Sequence, residues 1–134
     1  FKMDPLLPRT GQPLKCTLEV FVDNHDNRNV TSDYSISFVT DRGMKIFQLH
    51  SGHMGLGIIN ASGRSKVFAE IASLPLTPGR YNINLWVGYG QITYDWIPEA
   101  YSFDVDTGSI ENGILIDNRG YPVITPSSWR ISPF

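Results

Sequence analysis

An all-β fold, an immunoglobulin-like or jelly-roll β-sandwich of antiparallel strands, is what this sequence predicts. Three observations carry the prediction. Apolar residues recur with period two along most of the chain, Gly, Pro, Asn and Asp punctuate the alternating runs, and no segment sustains a helical period. Strands at this spacing, without helices to make crossovers, pack as two sheets or a closed roll. The length of 134 residues, with no linker or repeat, fits a single domain over residues 1–134.

The elements follow in order. Leu14, Cys16, Leu18, Val20 and Val22 alternate with Lys15, Thr17, Glu19 and Phe21, the pattern of a half-buried strand. Turn formers at residues 23–29 break it. Tyr34, Ile36 and Phe38 alternate with Ser35 and Ser37 in a second strand, Asp41-Arg42-Gly43 signals a tight turn, and residues 44–50 return as the partner of a hairpin. Residues 51–63, with four glycines, read as a long loop. Val67, Ala69 and Ile71 restart the alternation. In Leu74-Pro75-Leu76-Thr77-Pro78-Gly79-Arg80-Tyr81 two prolines and a glycine force a chain crossing, and Tyr81 is placed to fold back on it as a tyrosine corner. Tyr81, Ile83, Leu85 and Val87 then share one face of a strand and Asn82, Asn84, Trp86 and Gly88 the other. Residues 91–96 have strand propensity, Pro98 interrupts, and Tyr101, Phe103 and Val105 alternate again. Two short strands are expected at residues 114–116 and 121–124, and Trp129 is assigned to packing as part of a terminal anchor.

Composition narrows the function. A formal net charge of −2 provides no electrostatic footprint for nucleic acid or an anionic membrane. A neutral partner suits that balance better. Cys16 is the one cysteine, so an intrachain disulfide is impossible, and its place in an apolar alternation makes it a small buried hydrophobe. No apolar run approaches the ~18–20 residues of a membrane helix. The start, Phe1-Lys2-Met3, has neither an initiator Met nor a signal-peptide pattern, which leads to the expectation of a piece of a longer chain. The sequons Asn29-Val30-Thr31 and Asn60-Ala61-Ser62 occur at about the frequency chance allows.

Catalytic signatures are absent from the sequence. There is no phosphate-binding G-x-x-x-x-G-K-[ST] and no G-x-S-x-G elbow, so no catalytic residue, cofactor or nucleotide site is expected in this segment. His50-Ser51-Gly52-His53 lacks third and fourth zinc ligands and reads as a polar loop. Asp23, Asp26 and Asn29 lack the spacing of a calcium loop, and no metal site is expected. Asp104 and Asp106, two apart on a strand, could pose as a glycosidase pair, but their position at a strand end suits plain solvent exposure better.

The polar face of the Tyr81 strand carries the stronger signal. Asn82, Asn84 and Trp86 project together from the side opposite the core. An outward indole covers the C–H face of a pyranose, and flanking amides hydrogen-bond its hydroxyls. Tyr89, Tyr94, Asp95 and Trp96 lie just beyond and add stacking and acceptor groups. These seven residues form the candidate carbohydrate site. The competing account packs Trp86 at a dimer interface and Tyr94 and Trp96 in the core.

The order of segments also resembles a known family. The hairpin with Asp41-Arg42-Gly43, the glycine-rich loop and Val67-Phe68-Ala69-Glu70-Ile71 lead into the Leu74-to-Tyr81 crossing. Tyr101-Ser102-Phe103-Asp104-Val105 and Arg119-Gly120-Tyr121-Pro122-Val123 with Trp129 follow. From about Gly11 onward this is similar to the C-terminal carbohydrate-binding domain of Wzt-type ATPases, the nucleotide-binding subunits of bacterial polysaccharide (O-antigen) ABC exporters. The resemblance implies a sandwich that pairs as a homodimer, sometimes by exchanging the C-terminal strand. It also implies non-catalytic binding of the finished O-antigen chain, at its terminal region, on a concave sheet face. The parent ATPase domain, absent from this sequence, would join the module to a transmembrane exporter subunit, in the cytoplasm and peripheral to the inner membrane. No family motif fixes ligand residues, so the candidate site rests on strand parity and aromatic chemistry. The rival readings are a structural or adhesive immunoglobulin-like module with a protein partner, and a small glycan-processing enzyme using Asp104 and Asp106.

Overall fold

The computed structural model describes residues 1–23, 30–55, 57–60, 63–110 and 113–133. The expected turn at 24–29, Asp26 and Asn29 of the calcium reading, and parts of both sequons lie outside them. The described strands are β1 (Lys2–Asp4), β2 (Leu14–Val22), β3 (Val30–Thr40), β4 (Lys45–His50), β5 (Ile58–Asn60), β6 (Gly63–Ile71), β7 (Gly79–Tyr89) and β8 (Ile92–Val105). They form two antiparallel sheets, one ordered β1-β2-β6, the other β4-β3-β7-β8 with β5 added to β3. The fold is an all-β sandwich.

Alternation explains why the sheets face each other. Leu14, Cys16 and Leu18 of β2 and Met3 of β1 meet Tyr34, Ile36 and Phe38 of β3, Tyr81 and Ile83 of β7, and Phe103 and Val105 of β8. Phe38 is fully buried at the centre, stacked on Phe47 at 4.5 Å and edge-on to Phe103 at 6.1 Å. Burying each such side chain contributes about 1.5–3 kcal/mol. The crossing between β6 and β7 buries Leu74 and Leu76 completely. Tyr81 turns back on it, its hydroxyl donating to the Thr77 carbonyl at 2.6 Å, which is the expected tyrosine corner.

Several elements differ from expectation. The loop at 51–63 contains a 3-10 turn (Gly52–Met54) and β5, which pairs with the start of β3. Pro98 does not divide its strand: β8 runs on for 14 residues. It lies at the sheet edge, where a missing N–H is tolerated, and residues 98–100 bulge out opposite Asn84. No strand forms at 114–116 or 121–124, because the backbone there bonds to loops. Ile116 N–H donates to the Gly108 carbonyl, Ile124 N–H to that of Pro75, and Thr77 N–H to that of Pro122. Trp129 is not packed. It is 92% exposed, and its indole N–H reaches only Ser127, two residues away.

Candidate functional site

β7 runs through the middle of the larger sheet and decides which side chains leave the core. Tyr81, Ile83, Leu85 and Val87 point between the sheets, so Asn82, Asn84 and Trp86 project from the outer face. Pairing extends that face sideways. Trp86 lies opposite Trp96 of β8 and Ser35 of β3, and Ser35 lies opposite His50 of β4. One step along the strands, Asn84 lies opposite Ser37, itself opposite Gln48. These side chains line a groove of about 550 Å³ that also takes in His53 and Lys45.

The Trp86 ring is held from several sides. Its indole N–H donates to the Thr93 hydroxyl at 2.9 Å, and the His50 ring lies 5.7 Å away, tilted by 30°. Gly88 gives the ring room: a Cβ there would sit 2.4 Å from Trp86 Cζ2 and 2.2 Å from the Ile92 carbonyl oxygen. His53 stacks on His50 at 4.1 Å, and His50 Nδ1 accepts the Gly52 N–H at 3.1 Å. Trp96 at the sheet edge is 48% exposed.

The amides are oriented by their neighbours. Asn84 Oδ1 accepts the Glu99 backbone N–H at 2.8 Å, which can only donate, so the Asn84 amino group is the free end. Asn82 Oδ1 accepts from the Ser102 hydroxyl at 2.6 Å, and Gln48 Oε1 from the Ser35 hydroxyl at 3.0 Å. Among the described residues no partner engages the amino groups of Asn82, Asn84 or Gln48. The groove therefore offers an aromatic platform beside N–H donors. Among its described lining residues there is no carboxylate, and Lys45 is the one permanent cation.

The seven candidate residues do not all meet. Asn84, Trp86 and Trp96 line the groove, and Asn82 continues the same face beyond them. Tyr94 and Asp95 border a second cavity of about 350 Å³, at the mouth between the sheets with Phe21, Val22 and Ile97, and Trp86 is the one candidate that lines both. Tyr89 stays exposed at the end of β7 and lines neither. Asp95 lies opposite inward-facing Val87 and so takes the other parity from Trp96, while Tyr94 is displaced by a bulge between Val87 and Gly88. Val87 pairs with Asp95 and Gly88 with Thr93, which leaves Tyr94 without an opposite residue and puts Thr93 beside Trp86. His50, His53, Gln48, Ser35 and Ser37 were not among the candidates. The β3–β4 hairpin register held the signal for Ser35, Ser37, Gln48 and His50, since the two serines alternate with buried Tyr34, Ile36 and Phe38.

The acidic pair has other partners. Asp104 takes both its bonds from Arg80, at 3.1 and 3.2 Å, and Asp106 caps the Thr107 N–H at 2.8 Å. Among the described residues no three His, Cys, Asp or Glu side chains come together where they could hold a metal ion.

The sequence profile of the Wzt C-terminal domain matches residues 9–116, which is most of the chain. The chain belongs to the Wzt C-terminal domain family. That family comprises C-terminal domains of ABC transporter subunits. The search of solved structures agrees on the fold of the Wzt domain. A crystal structure described as the C-terminal domain of wzt superposes with a TM-score of 0.63 at 14% identity, covering 90% of this chain and 75% of that one. The search of curated proteins returned no match.

Proposed function

We propose that this Wzt C-terminal domain binds a bacterial surface polysaccharide of the O-antigen type, at its terminal region, and so selects it for export by an ABC transporter. Binding is non-catalytic. The parent ATPase subunit carries the domain on the cytoplasmic side of the inner membrane, against a transmembrane exporter subunit, and two copies pair as a homodimer. Pairing would place two weak sites on one ligand population and raise the apparent affinity.

The observation that carries this reading is the outward indole of Trp86. It is pinned by Thr93 beside the free amino group of Asn84 in a groove about 550 Å³ in volume. Aromatic surface with a few placed donors is the mixture a sugar requires, with apolar C–H faces on the ring and hydroxyls on the amides. Trp96 widens the platform at the sheet edge. Tyr94, Asp95 and Tyr89 are left out of the site.

Trp86→Ala in the 134-residue chain tests the reading. Titrated calorimetrically with the O-polysaccharide of the strain that encodes the chain, the variant is expected to bind more than about tenfold more weakly, a loss above about 1.4 kcal/mol. Its fold should be unchanged, because the ring lies outside the core. Equal binding by the variant and the parent chain would remove Trp86 from the site.

A further inference from the structure

The groove runs across the strands, and its length bears on how much of a glycan it holds. His50, Ser35, Trp86 and Trp96 are successive partners, so they form one line over the four strands β4, β3, β7 and β8. The three gaps between those strands, at about 4.8 Å each, make the line about 14 Å long, roughly three linked pyranose rings. His50 and Trp86 lean together over the short Ser35 side chain, with ring centres 5.7 Å apart, and so form a continuous aromatic surface. A second line, Gln48–Ser37–Asn84, lies one inward–outward period along the strands, about 7 Å away. Its free amino groups would meet hydroxyls and ring substituents along one edge of a chain lying on the aromatic line. A single sugar would cover only part of either line.

We propose that the groove reads about three consecutive sugar rings laid across the strands, from His50 at one end to Trp96 at the other. The inference rests on the polysaccharide reading above and adds the footprint.

The test uses a mild-acid hydrolysate of the same O-polysaccharide, fractionated from monosaccharide to hexasaccharide and titrated into the 134-residue chain. The dissociation constant should fall with each added ring up to about three and then level off. Trp96→Ala should weaken trisaccharide and longer fragments by about fivefold or more, a larger loss than it causes for the shortest binding fragments. The edge position of Trp96 lets this variant keep the fold, which thermal unfolding would verify. Full affinity at one ring, a steady gain through six rings, or an equal loss at every length in Trp96→Ala would overturn the footprint and leave the polysaccharide reading standing. Failure of the intact polysaccharide and of every fragment to bind would overturn both.

Discussion

Trp86 is held in place by Thr93 and Gly88. Thr93 reaches the indole N–H only because the bulge after Val87 moves it opposite Gly88, and Gly88 leaves the space that a Cβ would fill. Pre-positioning such a ring removes part of the ordering cost that a free rotor would incur on binding. Thr93→Val keeps the shape and removes the acceptor. Polysaccharide affinity should drop by about 2- to 10-fold, the range of about 0.5–1.5 kcal/mol for one hydrogen bond, with thermal stability nearly constant. No change in affinity would mean that the indole needs no anchor. Cys16 illustrates the opposite environment. It has no exposed surface, and burial pushes its thiol from the ordinary 9.0 up to about 11. The fold thus favours the protonated form. That contribution is complete below about pH 9 and is lost as the pH rises through about 11. Urea unfolding midpoints should fall over this interval, and less steeply in Cys16→Ala. Identical slopes in the two proteins would contradict the assignment.

At the scale of elements, legibility followed the contrast between a wet face and a buried one. β2 alternates cleanly because one side meets the opposite sheet and the other meets water, whereas β3 and β7 keep the period in residue type while their outer faces are partly covered. β8 was harder to read, since Pro98 breaks a strand only where its missing N–H would face a neighbour. At an edge the chain absorbs it with a bulge. Glu99, at φ 51°, lies in that bulge and donates its N–H to Asn84, so the irregularity also orients a groove residue. The apolar residues at 114–116 and 121–124 have strand propensity but no sheet edge to join, and propensity without a partner does not make a strand. The same logic applies to the site. Parity alone puts Asn82, Asn84 and Trp86 on one face, whereas the alternation around Trp96 is ambiguous in the sequence and the bulge that diverts Tyr94 leaves no mark in the residue pattern. His50 and Gln48 lie in the returning strand of the expected hairpin and were within reach of counting its register, while His53 follows in the glycine-rich loop, where no periodicity assigns a face.

For the molecule as a whole, the described residues carry, besides the groove on the larger sheet, an apolar C-terminal segment. Ile114, Leu115, Tyr121, Trp129 and Ile131 are all largely exposed, with Ile131 at 95%. So much uncovered apolar surface in one stretch suits a protein contact, and the proposed homodimer is one that would cover it. Sedimentation velocity on the full chain should show a dimer, and the double variant Trp129→Ser, Ile131→Ser a monomer. A parent chain that sediments as a monomer at every accessible concentration would rule out this use of the segment. Locating the bound glycan decides whether the groove is the binding surface. Backbone amide shifts should be followed by NMR as fragments of the O-polysaccharide are titrated into the labelled chain. The perturbed residues should cluster around Ser35, Ser37, Gln48, His50, Asn84, Trp86 and Trp96. Perturbations confined to Phe21, Tyr94, Asp95 and Trp86 at the mouth between the sheets, with Ser37, Gln48 and Asn84 silent, would contradict that placement.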